Sequence, residues 1–315
     1  MFKNYLKTAL RNFKRNKSFA LINVLGLAVG ITASLLIFLV IQFESSFDNF
    51  HSRKNKIYRV STQFHTQDGI DYSDGVAFPV APALRIDFPQ IREVASIYRN
   101  GGQITIEDGG GMPLKKLDER NFYYAEPQFF EMFNFGWLRG NARVCLKDPN
   151  SAAVTQAAAE KYFGDWKSAI GKTIKYDNKT LYKITGILKN PPSNTDFPLS
   201  VVVGYSALQN TYIKHNLNDW VSTFGGAYTF VVLPAELSAK KFDEQLIAFA
   251  KKHKPAEYAK DAYVTQPLSE IHYDDRFGNY REHTFSHSLI RALALIGIFL
   301  ISIACAIRNT SAICT

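Results

Sequence analysis

From Ser18 to Phe43 the chain carries no charged residue, and the stretch before it holds Lys3, Lys7, Arg11, Lys14, Arg15 and Lys17 with no Asp or Glu. A helix rises about 1.5 Å per residue and the hydrocarbon core of a bilayer is about 30 Å thick, so about 20 apolar residues span it. Residues 18–43 are therefore expected to form a transmembrane helix. The basic flank sets its orientation, with the amino end in the cytoplasm and the following segment outside. A cleaved signal peptide fits less well, because its apolar region would be only about 7–15 residues long. Here the run continues through Leu35, Leu36, Ile37, Phe38, Leu39, Val40 and Ile41 to Phe43.

The segment that follows, residues 44–288, is polar and mixed. It holds all 28 Asp and Glu of the chain and 29 of the 37 Lys and Arg, a formal charge of +1 against +9 for the whole chain. The basic excess thus belongs to the membrane flank, where anionic lipid attracts each cation by about 1 kcal/mol. Nucleic acid is not expected as a partner, since the large segment is close to neutral.

In the N-terminal arm, Phe2, Leu6, Ala9, Leu10 and Phe13 recur at spacings of three and four, with Lys3, Lys7, Arg11 and Lys14 on the other side. Residues 1–17 therefore read as an amphipathic helix on the cytoplasmic leaflet, with Arg15 and Lys17 also at the lipid surface. Within the span, Gly26 and Gly30 form a small-xxx-small pair, with Asn23 and Ala33 near the same stripe. These four residues are candidates for packing against another helix, because small side chains allow close approach in lipid and Asn can bond across it.

A second apolar run, Ala292 to Ile307, lies between Arg291 and Arg308. With Leu289 and Ile290 added and both Arg side chains snorkelling, residues 289–308 are expected to form a second span, leaving a short tail at 309–315. Of the three cysteines, Cys145 is external while Cys305 and Cys314 lie in or beyond that span, so no disulfide framework is expected.

The external segment reads as α+β with two similar arms. The first has a strand from Ile57 to Phe64, a helix over Phe78–Phe88 opened by prolines and closed before Pro89, and a strand at Val94–Arg99. The second has a strand at Tyr228–Leu233, a helix capped by Ser238 and running through Phe242, Leu246, Phe249 and Ala250, and a strand at Tyr263–Leu268. A β-α-β pattern at both ends supplies the ingredients of a split βαβ unit. Between the arms lies a more strand-rich insert. Gly101, Gly102 and Gly109–Gly111 punctuate turns, Asp177-Asn178-Lys179 joins a hairpin of Thr173–Tyr176 and Leu181–Leu188, and Thr155–Phe163 reads as an Ala-rich helix stopped by Gly164.

No catalytic, cofactor or metal constellation is evident. Gly171-Lys172-Thr173 resembles the end of a phosphate loop, but Trp166 stands where the first Gly is required, and a strand rather than a helix follows. His283 and His287 have helical metal-ligand spacing, without a Glu between them or a third ligand nearby. Asp274 and Asp275 read as loop carboxylates.

Several ordered stretches resemble the N-terminal half of MacB/FtsX-type ABC transporter permeases with a periplasmic core domain. They are Glu44-Ser45-Ser46-Phe47-Asp48-Asn49-Phe50-His51 with Ile57-Tyr58-Arg59-Val60; Phe129-Phe130 through Phe133 and Phe135 to Gly140; and Ala159-Glu160-Lys161-Tyr162-Phe163-Gly164-Asp165 with Ile170-Gly171-Lys172-Thr173-Ile174. Thr185-Gly186-Ile187 with Pro191-Pro192-Ser193-Asn194, and Pro267-Leu268-Ser269-Glu270-Ile271-His272, complete the series. The resemblance covers nearly all residues up to Cys305.

It implies a porter-like pair of arms at residues 44–100 and 226–285, a β-rich Sabre-like insert at 101–225, and two transmembrane helices around this 44–288 periplasmic core domain. It further implies an inner-membrane permease subunit, itself not an enzyme, that partners a cytoplasmic ABC ATPase, forms a homodimer or pseudo-dimer and meets a periplasmic partner. The expected role is transmission of ATPase motion to the external domain for efflux or extracytoplasmic regulation. The family's continuation after Ala304-Cys305 is not matched by Ala306–Thr315, which reads as a truncation. The alternative is a two-span sensor or interaction protein whose external domain binds a ligand or partner.

Overall fold

The computed structural model describes residues 17–108 and 110–313. The expected N-terminal amphipathic helix, with Lys3, Lys7, Arg11, Lys14 and Arg15, lies outside the described residues, and Lys17 is exposed at the first position of the first helix. The elements in chain order begin with α1 (Lys17–Glu44), β1 (Ile57–Thr66), β2 (Gly69–Ser73), α2 (Val80–Asp87), β3 (Val94–Arg99), β4 (Gly102–Glu107), β5 (Pro113–Glu119) and β6 (Phe122–Ala125). They continue with α3 (Pro127–Met132), β7 (Trp137–Arg139), α4 (Ala142–Cys145), β8 (Ser151–Thr155), α5 (Gln156–Phe163), β9 (Thr173–Tyr176) and β10 (Thr180–Leu188). The remainder are β11 (Val201–Gly204), β12 (Ala227–Val232), α6 (Ala239–His253), β13 (Ala262–Pro267) and α7 (His287–Ile313). The chain divides into a helical unit, residues 1–46 with 285–315, and a larger unit, residues 47–284.

In the helical unit α1 packs against α7. A stripe of Asn23, Leu27, Gly30, Ala33, Ser34 and Ile37 is half-buried or buried, recurring at the three- and four-residue spacing of one helix face. The Ser34 hydroxyl donates to Gly30 O at 2.8 Å and lies 3.2 Å from Gly297 O on α7. A Cβ on Gly297 would sit 3.5 Å from Ile37 Cγ2, so the missing side chain lets the helices approach. The rest of α1 is exposed apolar surface, including Leu25, Val29, Leu36 and Phe38. Water does not tolerate a continuous apolar face of that size on a monomer, whereas lipid does. Leu21–Glu44 is long and apolar enough to cross a membrane; in α7 the apolar stretch His287–Ile303 is shorter.

The larger unit is built on one twisted wall of thirteen strands among the described residues, in the order β13-β1-β12-β3-β6-β11-β8-β10-β9-β4-β5, with β2 beside β1 and β7 beside β10. The pairs β6–β11 and β8–β10 are parallel and the others antiparallel. The β1-α2-β3 and β12-α6-β13 arms interleave, since β12 lies between β1 and β3 and β1 lies between β13 and β12. Hydrogen bonding runs unbroken from the arms into the insert, because Ile97 of β3 pairs with Ala125 of β6.

The period of two decides which face each side chain covers. In β6, Phe122 and Tyr124 enter one core while Tyr123 and Ala125 enter the other. In β11, Val201 and Val203 part from Val202 in the same way. Both faces are covered, so these strands are apolar throughout rather than alternating. A third core lies under α2 and α6, where Leu84, Phe242, Leu246 and Phe249 meet Val60 and Val231 of the sheet.

Local signals fixed the ends. Pro79 precedes α2, where a missing N–H costs nothing, and the helix stops before Pro89. Ser238 caps α6 by accepting from Lys241 N, and Lys251, Lys252 and His253 in its last turn complement the helix dipole. Asp177 and Asn178 both adopt positive φ, 48° and 54°, in the three-residue turn between β9 and β10, a conformation Asp and Asn tolerate better than most residues. Gly164 ends α5 at φ 82°. Between the arms, Asp87 of α2 accepts from Lys252 Nζ at 2.7 Å and pairs with the His253 ring at 2.8 Å, while Trp220 stacks on that imidazole. At one margin of the sheet the outward N–H of Thr265 in β13 donates to Asp243 of α6 at 2.7 Å. At the other margin β5 presents exposed Lys115 and Lys116.

Candidate functional site

Three stretches distant in sequence meet at one buried polar joint in the larger unit. The first is the strap Phe47–His51, which follows α1. The second is the loop Ser193–Phe197 between β10 and β11. The third is Ile271–His283, which precedes α7. Residues 47, 48, 51, 196 and 272 are all buried, Asp196 and His51 to 1 % exposure.

Asp48 holds the strap to the loop. It adopts φ 54°, a left-handed conformation that Asp tolerates better than most residues. Its N–H donates to Asn194 O at 3.0 Å. Its carboxyl accepts from the Thr195 hydroxyl and, at 3.1 Å, from Asp196 N. Asp196 in turn pairs with His272 Nδ1 at 3.2 Å, and the Phe47 ring stacks on the His272 imidazole with centroids 3.5 Å apart. Strap, loop and third stretch are thereby linked in series. Arg281 completes the tie by donating from Nε to Thr195 O at 2.8 Å and from Nη2 to Ser193 O at 2.5 Å.

His51 closes the other side. Its Nδ1 accepts from Asn134 N at 3.0 Å, which fixes the neutral ring's proton on Nε2, and Nε2 lies 3.7 Å from the Asp48 carboxyl. Phe133 and Phe135 pack edge-on around the ring. Burial, and then the charge of Lys54, depress His51 to about 3. Burial, and then the neighbouring Asp196 carboxylate, push Asp48 up to about 7 against the opposing bonds of Thr195 and Asp196 N. The site therefore has the chemistry of a fastening, and its groups are enclosed by aromatic rings rather than presented to a substrate.

The candidate residues singled out from sequence are dispersed. Asn23, Gly30 and Ala33 lie on the α1 stripe described above, while Gly26 is exposed, with nothing among the described residues within 4 Å of a Cβ built on it. Lys17 is exposed. Gly171 leads into β9, as the phosphate-loop comparison anticipated. His283 precedes α7 and is not helical, so it and His287 do not share a helix face. Among the described residues no group of three His, Cys, Asp or Glu side chains is placed to hold a metal. Cys145 is buried and free. Asp274 is bound by Arg276, whose guanidinium holds it below the usual carboxylate range.

The joint itself escaped the sequence reading, although Asp48, His51, Asn194 and His272 lie in stretches that carry the resemblance. The available signal was a set of acids and imidazoles set between Phe47, Phe50, Phe197 and Ile271, which are core residues. Polar groups flanked so closely by core residues must be buried and bonded.

Residues 20–249 match the family described as the MacB-like periplasmic core domain. The chain belongs to that family. Among solved structures it is similar to a domain of a protein designated a permease from Porphyromonas gingivalis. That likeness has 18% identity and a TM-score of 0.56, and covers 77% of this chain and 99% of that one. It is also similar to the periplasmic region of MacB from Actinobacillus actinomycetemcomitans, at 13% identity and TM-score 0.48, over 69% of this chain and 91% of that one. No curated protein matches the chain. The MacB-like periplasmic core domain thus accounts for the α+β sheet, and the resemblance to MacB/FtsX-type permeases read from the motifs agrees with it.

Proposed function

We propose that this chain is a permease subunit of a MacB/FtsX-type ABC transporter that carries ATP-driven motion from the membrane to an extracytoplasmic domain, for efflux or for regulation of an outside partner. In this reading α1 and α7 both span the inner membrane, with the amino end and Lys3, Lys7, Arg11, Lys14, Arg15 and Lys17 at the cytoplasmic lipid surface. Residues 44–288 are periplasmic, the interleaved arms (44–100 and 226–285) are the porter-like part, and residues 101–225 are the Sabre-like insert. A cytoplasmic ATPase supplies the energy, a second permease copy completes a dimer, and a periplasmic partner receives the motion.

The observation that carries the proposal is the joint. Residues beginning three positions after the end of α1 and a segment ending shortly before α7 are fastened to the same loop by Asp48, Asp196 and Arg281. A buried tie of this kind holds strap, loop and third stretch together as one piece of the larger unit, where the chain leaves α1 and where it approaches α7. A ligand-binding sensor would instead call for a built pocket with converging polar groups. The grooves along Pro89–Glu93 and Lys241 and between Leu114 and Lys172 are open clefts.

Co-purification of the full-length gene product in detergent with a cytoplasmic ATPase tests the reading. Capture of an ABC ATPase supports it, and capture of a signalling kinase or cyclase in its place overturns it in favour of the sensor. A phosphatase reporter fused near Asp118 should be active outside the cytoplasm, and a cytosolic reporter there would sink the topology.

A further inference from the structure

Arg59 of β1 is a cation without a counter-ion. It is fully buried, and its Nη2 donates to Oε1 of Gln266, the residue paired with it on β13. Its Nε and Nη1 are sealed from solvent and have no hydrogen-bond partner among the described residues, and the same is true of Gln266 Nε2. Two carboxylates of this neighbourhood bond elsewhere. Asp74 accepts from the Tyr228 hydroxyl at 2.7 Å, and Asp274 accepts from Arg276 Nε at 2.9 Å and Nη2 at 2.7 Å. What faces the Arg59 guanidinium is aromatic: its central carbon lies 4.5 Å from the Tyr228 ring centre and 5.9 Å from that of Phe277. Ring faces and one neutral amide return only part of the hydration that a buried cation gives up.

Phe277 belongs to a short arch in the third stretch. The ends of that stretch are pinned. His272 and Arg281 tie it to the loop of the joint, and Tyr280 stacks on Tyr228 at 4.0 Å and donates to Gly226 O at 2.9 Å. Between these anchors, residues 274–278 are held down more lightly. Asp275, Arg276 and Gly278 are exposed, and Phe277 is the buried member of the five. The N–H groups of Asp274 and Phe277 donate to Glu270 O and Asp274 O, and that of Arg276 donates to the Asp274 carboxylate, so none of the three reaches the sheet. Phe277 also lines a cavity of about 360 Å³ together with Gln63, Tyr72, Gln266, Glu270 and Arg276. Arg59 is not part of that lining; Phe277 and Gln266 are what the cavity and the guanidinium have in common.

We propose that residues 274–278 form a spring-loaded lid, in which the arch lifts Phe277 away from Arg59 and the hydration regained by the guanidinium drives the opening. The cavity beside Phe277 is the route by which water arrives. The pinned ends confine the movement, so the joint stays fastened while the lid works. A segment with few hydrogen bonds to its support and an under-compensated charge beneath it belongs to the low-stability end of a fold. This goes beyond the permease reading and needs only the larger unit's own packing.

Hydrogen exchange of the full chain in detergent, read on peptides covering residues 274–278, tests the lid. Arg59→Met keeps the length of the side chain and removes its charge, and should raise the protection of the arch more than about tenfold over wild type. Gln266→Glu sets a carboxylate of the same shape against the guanidinium, and should raise it more than about threefold. An arginine that clamps the arch would act in the opposite sense, so protection that falls or stays level in Arg59→Met overturns the proposal. A rise confined to peptides covering β6, with the arch unchanged, overturns it as well. Should Arg59→Met fail to fold, Gln266→Glu decides, and an arch no better protected than in the wild type overturns the lid. None of these readouts involves an ATPase, so failure here and failure of ATPase capture are separable.

Discussion

The ectodomain holds two carboxylate–imidazole fastenings that differ in their surroundings. Asp87 meets His253 and Lys252 on the outside of α2 and α6. Asp48 and Asp196 meet His51 and His272 inside the joint. At the outer clasp the Lys252 ammonium and the imidazole lower Asp87, because solvent carries much of the cost of ionisation. In the joint burial outweighs every partner, and Asp48 is raised. The same pair of residue types thus lowers a carboxyl in one place and leaves it raised in the other, and the enclosing Phe133, Phe135 and Phe197 around His51 mark the difference in burial.

The largest expected effect is at the joint. Asp196→Ala strands the Asp48–Thr195–His272 network and should destabilise the ectodomain by about 3 kcal/mol or more. Urea unfolding of the full chain in detergent measures it by tryptophan fluorescence, because all three Trp lie in the larger unit, at 137, 166 and 220. A loss under about 1 kcal/mol would erase the distinction between the two fastenings. Arg281→Ala removes two charge-assisted bonds to loop carbonyls at the edge of the joint and should cost about 1–2 kcal/mol in the same assay.

Acidification should separate the sites next. Asp87 is held below its ordinary value of 3.8. Its contribution is therefore present above that value and lost as pH falls through its lower folded value. Exchange protection at the end of α6 should weaken below about pH 4. Protection that stays level through that fall would show that the clasp does not depend on the Asp87 carboxylate. The smallest effect is Asp87→Ala, expected at under about 1 kcal/mol because the clasp is solvated. A larger loss would mean the clasp carries the arms' docking and would reverse the ranking.

Much of the scaffold could be read before the structure. Hydrophobic length and flanking charge found α1, while prolines, Ser238, Gly164 and the Asp177-Asn178 turn marked element ends to within a few residues. What stayed hidden were β6, β8 and β11, runs of four or five residues such as Ser151-Ala152-Ala153-Val154-Thr155, buried on both faces and so without alternation. The joint stayed hidden for a different reason. Asp48, Asp196 and His272 are 76 or more residues apart, and nothing local in the chain says that they share a proton-poor interior. Their nearness goes with the sheet order β13-β1-β12-β3-β6-β11, whose long-range pairings, the parallel β6–β11 among them, short-range patterns do not foretell.

At the two outer strands, β13 gives its spare amide to Asp243 and β5 carries lysines along its rim. A sheet this wide would otherwise offer a template on which neighbouring molecules could lengthen it. Blunted at these points, the two borders are poorer templates for edge-to-edge pairing, which leaves faces and helices as the better surfaces for any assembly.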